Sequence, residues 1–197
     1  MSIKAPSHLR SAWTLVEMMI AVGIFSISGL ALATMFLFCA RSFVTMSNYA
    51  VLDQKNRQAM DLVTREIRQA TSFVNYTSNS TSRTLTLVNG DTPPSTVVYS
   101  FDANKQEMIR SNATAGTAQV LLTNCNLLNF SLYLRPPASN SFDYYYPVDT
   151  TMPNWTQEVK IVQLTWKTSM QICPTPNVNS EDVQTARIII RKQQVLN

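Results

Sequence analysis

Glycine, histidine and cysteine are scarce in this sequence, and their scarcity excludes several kinds of active site. There are four glycines, and none lies in a loop of the kind that cradles a phosphate group. The single histidine is His8, so the chain after it has no histidine for general base catalysis or metal ligation. The cysteines, Cys39, Cys125 and Cys173, do not have zinc-site spacing. We therefore predict that the protein is not an enzyme and has no metal or cofactor.

Charge is absent from one long stretch near the N-terminus. Residues 18–40 contain no Asp, Glu, Lys or Arg, and as a helix they would extend roughly 35 Å, enough to cross a hydrocarbon core of about 30 Å. No second apolar run of that length follows. Lys4 and Arg10 precede the run without an acid between them, which favours a cytoplasmic N-terminus. The sequence thus predicts a single membrane anchor over residues 13–40 and an exported remainder.

A secretory signal peptide is the alternative interpretation of this N-terminus. Lys4 and Arg10 would form its basic region, and Ala31-Leu32-Ala33 its small-residue cleavage site. The mature chain would then be a soluble binding protein outside the cytoplasm. However, polar and acidic residues separate Arg10 from the apolar run, and strong hydrophobicity continues beyond Ala33. Both features favour retention of the whole run as an anchor.

Glu17 lies directly before the apolar run, where an isolated carboxylate is costly unless it is paired. It ends the sequence "AWTLVE", which resembles the type IV prepilin N-terminus. In that family a small residue, usually Gly, precedes the cleavage site, and an aromatic residue, Thr, Leu, any residue and Glu follow. Ala12 replaces the usual Gly, and Trp13 replaces the usual Phe. Thr14, Leu15 and Glu17 match the family pattern.

The resemblance implies how this N-terminus is processed and used. A prepilin peptidase would cut between Ala12 and Trp13 at the cytoplasmic face, and residues 1–12 would be the cleaved leader. Trp13 would then be N-methylated. In this family the glutamate pairs with the N-terminal amine of a neighbouring subunit as helices stack in a filament, so the resemblance implies an assembly role for Glu17.

A second helical segment is predicted after the anchor, over residues 41–76. Its apolar residues recur every three or four positions, with Asn56 as the one polar interruption: Tyr49, Leu52, Ala59, Met60, Val63, Ile67, Ala70 and Val74. The opposite face carries acid–base pairs four residues apart, such as Asp53 with Arg57. Because no Gly or Pro lies between residues 30 and 74, we expect the anchor and this amphipathic segment to form one helix.

The remainder of the chain alternates β-type runs with turn signals, after a linker of Ser, Thr and Asn over residues 77–82. The predicted strands are "TLTLV", "TVVYSF", "QVLLT", "LLNFSLYL", "EVKIVQLTWKT" and "TARIIIRKQ". Residues 83–197 suffice for one small antiparallel sheet domain that covers the apolar face of the helix. The predicted fold class is α+β, and the resemblance implies a pilin-like arrangement.

Two further segments resemble a subgroup of the family. The sequence "QKNRQAMDLVTREIRQA" at residues 54–70 is similar to the segment after the anchor in J-type minor pseudopilins of type II secretion and W-type minor pilins of type IV pili, and "TARIIIRKQ" is similar to their last strand. The resemblance implies a minor pilin or pseudopilin that initiates or caps a filament. Arg65, Glu66 and Arg68 are expected on a solvated charged face, with subunit contacts as the alternative.

That identification implies partners and a location. The partners would be other pilin or pseudopilin subunits and the prepilin peptidase that also methylates the new N-terminus. The protein would be stored in the bacterial inner membrane as a single-pass protein with its C-terminal domain in the periplasm, and then assembled into a periplasmic or surface filament.

An aromatic loop leaves a different function open. The sequence "FDYYYPVDTTMPNW" contains Tyr144, Tyr145 and Tyr146, which either cover a sheet or form a partner-binding loop of a DNA-uptake or adhesive minor pilin. Without Lys4 and Arg10 the chain has 14 basic and 12 acidic residues, a net charge of +2. So small an excess does not indicate a nucleic-acid-binding surface.

Two cysteines lie in the exported part, where oxidising conditions permit a disulfide. Cys125 adjoins one predicted strand and Cys173 follows another, so a bridge would connect two candidate neighbours. Two separate thiols buried as small apolar side chains are the alternative, and the sequence leaves the choice open because it does not define strand register. Cys39, within the anchor, is expected to stay free.

Overall fold

The computed structural model describes residues 13–90, 92–134, 146–151, 155–171 and 179–190. The chain divides between Val44 and Thr45 into two compact units. The elements, in chain order, are α1 (Leu15–Gln69), β1 (Ala70–Ser78), β2 (Ser82–Asn89), β3 (Ser95–Asp102), β4 (Glu107–Asn112), β5 (Thr117–Leu122), β6 (Cys125–Leu134), β7 (Tyr146–Pro147), α2 (Trp155–Glu158), β8 (Val159–Gln171) and β9 (Asn179–Ile189). This is an α+β fold, as predicted.

The first unit consists, in its described part, of the N-terminal portion of α1. Every side chain from Trp13 to Phe38 is exposed, including large Leu, Ile and Phe residues. Among the described helices, α1 is the one that is long and apolar enough to cross a membrane. A membrane anchor and an export signal share these two properties.

Helix α1 ends at Gln69, and the prediction that it continues to residue 76 is wrong. The chain passes directly into β1, so the sheet region begins at Ala70 rather than at residue 83. The residues after Gln69 include Thr71, Phe73 and Val74, which are β-branched or aromatic and lose side-chain freedom in a helix. In the strand their backbone groups pair with β2.

The described strands form two antiparallel sheets rather than the single predicted sheet. The first sheet is a meander with the order β1-β2-β3-β4-β5, and the second sheet has the order β7-β6-β8-β9. Strands β5 and β6 are separated by Thr123 and Asn124 alone, yet they belong to different sheets. Strands β1, β4 and β7 were not predicted.

One hydrophobic core lies between the second half of α1 and the two sheets. Alternate residues of the strands point into it, as in the register pair Leu85–Tyr99 of the first sheet and Leu164–Ala186 of the second. The helix contributes Leu52, Ala59, Val63 and Ile67, all buried as the apolar periodicity predicts. Tyr49 and Val74, predicted on the same face, are 47% and 52% exposed.

In the part of the chain that the structure describes, two side-chain hydrogen bonds connect a strand of one sheet to a strand of the other. The hydroxyl of Tyr76 on β1 donates to the carbonyl of Phe130 on β6 at 2.9 Å. Nη1 of Arg83 on β2 donates to the carbonyl of Leu128, also on β6. Because both donors reach the same strand, β6 is fixed against the first sheet by polar contacts as well as by its buried side chains.

Candidate functional site

The first turn of α1 is organised by Thr14 and Glu17. The backbone N–H of Thr14 donates to Oε2 of Glu17 at 2.9 Å, and the Thr14 hydroxyl donates to the same oxygen at 3.2 Å. In return, the backbone N–H of Glu17 donates to Oγ1 of Thr14 at 3.2 Å. This reciprocal arrangement is a capping box, in which each side chain satisfies a backbone donor of the first turn.

The capping box gives Glu17 a partner within its own chain. The spacing Thr-x-x-Glu is a known sequence signature of this motif, so the cap was visible in the sequence although it was not predicted. Both side chains are exposed, and Oε1 of Glu17 makes no hydrogen bond with the described residues. The carboxylate is therefore held in place by one oxygen while the other can accept a further donor.

The other residues of the prepilin-like motif lie beside this cap. Trp13 and Leu15 are 72% and 76% exposed, so both are accessible at the start of the helix. Ala12 lies outside the described residues. Cleavage between Ala12 and Trp13 and methylation of Trp13 stay predictions.

Glu66 does not lie on a solvated face, and this expectation is wrong. It is 6% exposed, and Arg110 of β4 binds it through two nitrogens, with Nη2–Oε1 at 2.6 Å and Nε–Oε1 at 2.9 Å. The hydroxyl of Tyr99 on β3 donates to Oε2. We call this cluster of three residues the carboxylate clamp; it links α1 to the first sheet.

The clamp changes the titration of the groups around the carboxylate. Burial raises the pKa of Tyr99, and the hydrogen bond to Glu66 raises it further. The hydrogen bond to Glu66 also raises the pKa of Arg110. Tyr99 therefore stays protonated and Arg110 stays charged, so the three side chains form a fully paired structural contact rather than a proton-transfer site.

Asn56 forms the corresponding contact with the second sheet. Its Nδ2 donates to Oγ1 of Thr168 at 2.8 Å and to Oδ2 of Asp182 at 2.6 Å, and its Oδ1 accepts from Nε1 of Trp166 at 3.1 Å. Asn56 is completely buried, and so is Trp166. Asn56, the one polar residue in the apolar stripe of α1, thus joins the helix to β8 and β9 through hydrogen bonds.

The burial of Glu66 could also have been predicted from its position in the helical repeat. Glu66 is three residues after Val63 and seven after Ala59, so it lies on the same face as these two buried residues. Charge alone suggested a solvated position, whereas its periodicity placed it against the sheet. A buried carboxylate on an apolar stripe requires a cationic partner, and Arg110 supplies it.

Cys125 is a free thiol in the structure and is completely buried. Its Sγ contacts the carbonyl of Leu127 at 3.3 Å, and burial raises its pKa to about 11. Cys173 lies outside the described residues, so the proposed bridge stays a prediction. Cys39, a free thiol in α1, is partly exposed.

The aromatic loop falls largely outside the described part of the chain. Tyr144 and Tyr145 lie in residues 135–145, which are not described. Tyr146 is described only as a backbone position in β7, where it pairs with Leu134. The role of the three tyrosines stays a prediction.

Comparisons with protein-family models, with curated proteins and with solved structures found no match to this chain.

Proposed function

We propose that this protein is a minor pilin or pseudopilin, a structural subunit that helps to initiate or cap a type II secretion pseudopilus or a type IV pilus. The observation that carries the proposal is the first turn of α1, where the capped Glu17 stands before an apolar helix that is exposed along its whole length to Phe38. Such a helix requires a nonpolar environment, which a membrane provides before assembly and neighbouring helices provide afterwards.

Glu17 fits the assembly step of this proposal. An exposed carboxylate with one oxygen held by Thr14 and the other unoccupied is positioned to accept the N-terminal amine of a neighbouring subunit. In an apolar filament interior the charged pair would be stronger than in water, and a missing partner would be costly. Correct register between neighbouring helices would follow from this single pairing.

The sheet unit fits a role in packing and recognition. In its described part the polar clusters that are most buried, around Glu66 and Asn56, are internally paired. In this proposal the processing enzyme is the prepilin peptidase, and the remaining partners are other pilin subunits and the inner membrane.

The identity of the mature N-terminus tests the proposal. The native protein is isolated from the membrane fraction of its host and analysed by intact-mass spectrometry and N-terminal sequencing. We expect a chain that begins with N-methylated Trp13 and sediments with the membrane. A chain that begins at Thr34, after the small-residue site, would establish ordinary secretion and refute the proposal.

A further inference from the structure

A cleft of about 340 Å³ opens where three parts of the second unit meet. They are the turn between β3 and β4, the turn between β5 and β6 with the first residues of β6, and the C-terminal end of β8. The lining residues are Gln106, Asn124, Asn126, Ser169 and Gln171. All are polar and uncharged, and four of the five carry a side-chain carboxamide.

Backbone hydrogen bonds connect the segments that line the cleft. The N–H of Cys125 donates to the carbonyl of Gln106 at 2.8 Å, and the N–H of Ser169 donates to the carbonyl of Asn124 at 3.0 Å. Within the cleft, Nδ2 of Asn126 donates to Oγ of Ser169 at 2.7 Å. The two turns and β8 are therefore connected by their main chains, and the side chains project from a fixed frame.

Gln106 and Asn124 have an unusual backbone conformation. Each has φ of 55°, and among the described residues they are the two non-glycine residues with positive φ. Glycine is the ordinary residue at such positions because a side chain is disfavoured there. Both residues line the same cleft; asparagine tolerates this conformation, whereas glutamine rarely adopts it.

Three carboxamides in the cleft are not used by the fold. The side chains of Gln106, Asn124 and Gln171 make no hydrogen bond with the described residues. Each offers two N–H donors and one carbonyl acceptor. Among the described residues, the lining has no cation to bind an anion and no carboxylate, histidine or thiolate to bind a metal, and too little of it is apolar to bind a hydrophobic ligand.

We infer that this cleft binds a neutral carbohydrate. Each sugar hydroxyl both donates and accepts a hydrogen bond, as each carboxamide does, so adjacent hydroxyls match a carboxamide without any charge. The volume lies near the lower limit of ordinary ligand sites, which suits one or two sugar rings. Because the five lining residues that the structure describes include no aromatic ring for stacking, we expect a Kd on the order of 1 mM. This inference does not depend on the filament role.

Saturation-transfer-difference NMR on the full chain tests the inference, in a detergent that has no sugar head group. The probes are maltose, cellobiose and N,N′-diacetylchitobiose, with tri-alanine as a peptide probe. We expect transfer to at least one sugar and none to tri-alanine. The double variant Gln106→Gly with Asn124→Gly removes two carboxamides and relieves both strained positions, so it should fold normally and bind that sugar about tenfold or more weakly.

Gln119→Ala is the matched control, because it removes an exposed carboxamide of β5 that lies outside the cleft. It should bind the sugar as the wild type does. Absence of transfer to all three sugars would overturn the inference, and so would transfer to tri-alanine alone. Unchanged sugar affinity in a double variant with a normal melting temperature would also overturn it.

Discussion

Glu66 of α1 and Arg110 of β4 form a two-point ion pair that is largely removed from solvent. Their side chains are 8% and 19% exposed, and Nη2 of Arg110 lies 2.6 Å from Oε1 of Glu66. Asn56, on the same face of the helix, has its partners on the other sheet. These two polar contacts define how the second half of α1 lies on both sheets, which nonspecific apolar burial alone does not do.

Removing the carboxylate of the clamp should destabilise the protein strongly. In Glu66→Ala, Arg110 keeps its charge without a partner, and Tyr99 loses its acceptor. We expect a loss of about 3 kcal/mol in the free energy of unfolding, measured by chemical denaturation of the full chain in detergent. Glu66→Leu combined with Arg110→Leu should recover much of this loss, because no buried charge is left unpaired.

Arg57→Ala is the control for the clamp. Nε of Arg57 lies 2.9 Å from Oδ2 of Asp53, but the two side chains are 76% and 50% exposed. This ion pair should therefore contribute nothing measurable to the free energy of unfolding. If Arg57→Ala and Glu66→Ala lowered the free energy of unfolding equally, burial would not determine the strength of the carboxylate clamp.

Replacing Asn56 by Leu should leave two buried polar groups, on Trp166 and Thr168, without a partner, whereas the half-buried Asp182 keeps its hydrogen bond from Gln184. Nε1 of Trp166, Oγ1 of Thr168 and the carboxylate of Asp182 would each lose a hydrogen bond. We expect a loss of about 3 kcal/mol in the free energy of unfolding and a changed near-ultraviolet circular dichroism signal from Trp166. Asn48→Ala removes a single bond to the carbonyl of Gln171 and should cost only about 0.5–1 kcal/mol. A stable Asn56→Leu variant with an unchanged spectrum would contradict this account.

The two roles of Glu17 can be separated by crossed substitutions. Glu17→Gln keeps the cap, because glutamine serves equally in a capping box, but it removes the charge. Thr14→Ala removes the reciprocal side-chain contact but keeps the charge. If amine pairing directs assembly, Glu17→Gln should be processed and folded but poorly incorporated into filaments, whereas Thr14→Ala should be incorporated.

Co-purification with the other filament subunits measures the outcome, and intact mass verifies that each variant has been processed. Normal incorporation of Glu17→Gln would exclude charge pairing. Loss of incorporation in Thr14→Ala alone would assign the effect to the helix cap.

Thiol counting determines whether Cys125 and Cys173 are bridged. In the denatured, unreduced mature protein, one reactive thiol, from Cys39, would establish the bridge, and three would exclude it. If Cys125 is free, its raised pKa of about 11 and its burial should make it unreactive toward iodoacetamide in the folded protein at pH 8 and reactive after unfolding.

A free Cys125 also predicts a loss of stability at alkaline pH. Burial raises its pKa from 9.0 to about 11, so its folded-state pKa lies above the unfolded value. The corresponding stability, on the order of 2 kcal/mol, is complete below pH 9 and is lost as the pH rises toward 11. Melting curves of the wild type and Cys125→Ala should therefore diverge in slope over this range, and parallel curves would indicate that no buried thiol titrates.

Short sequence patterns predicted some of the strands and missed others. Strands β2, β3 and β8 alternate buried and partly exposed residues over most of their length, so the pattern within each strand suffices to predict it. Strand β1 was missed because Ala70 and Val74 continue the helical spacing from Ile67 by coincidence. Strand β4, with the polar sequence "EMIRSN", is a strand because β3 and β5 pair with it on both sides.

The polar contacts between α1 and the sheets could not be predicted from short stretches of sequence. Glu66 finds Tyr99 and Arg110 at 33 and 44 residues further along the chain, so its burial depends on pairings that no short window contains. The cap at the N-terminus of α1 could be predicted from the sequence, because Thr14 and Glu17 are only three positions apart.

The separation of Asn56 from its partners has a consequence during synthesis. Thr168 and Asp182 follow Asn56 by 112 and 126 residues, so the ribosome must add at least 126 residues after Asn56 before both hydrogen bonds can form. Until then the inner stripe of α1 faces water or a chaperone. A nascent or truncated chain that lacks β9 cannot complete this contact, and its exposed apolar residues would make it a target for degradation.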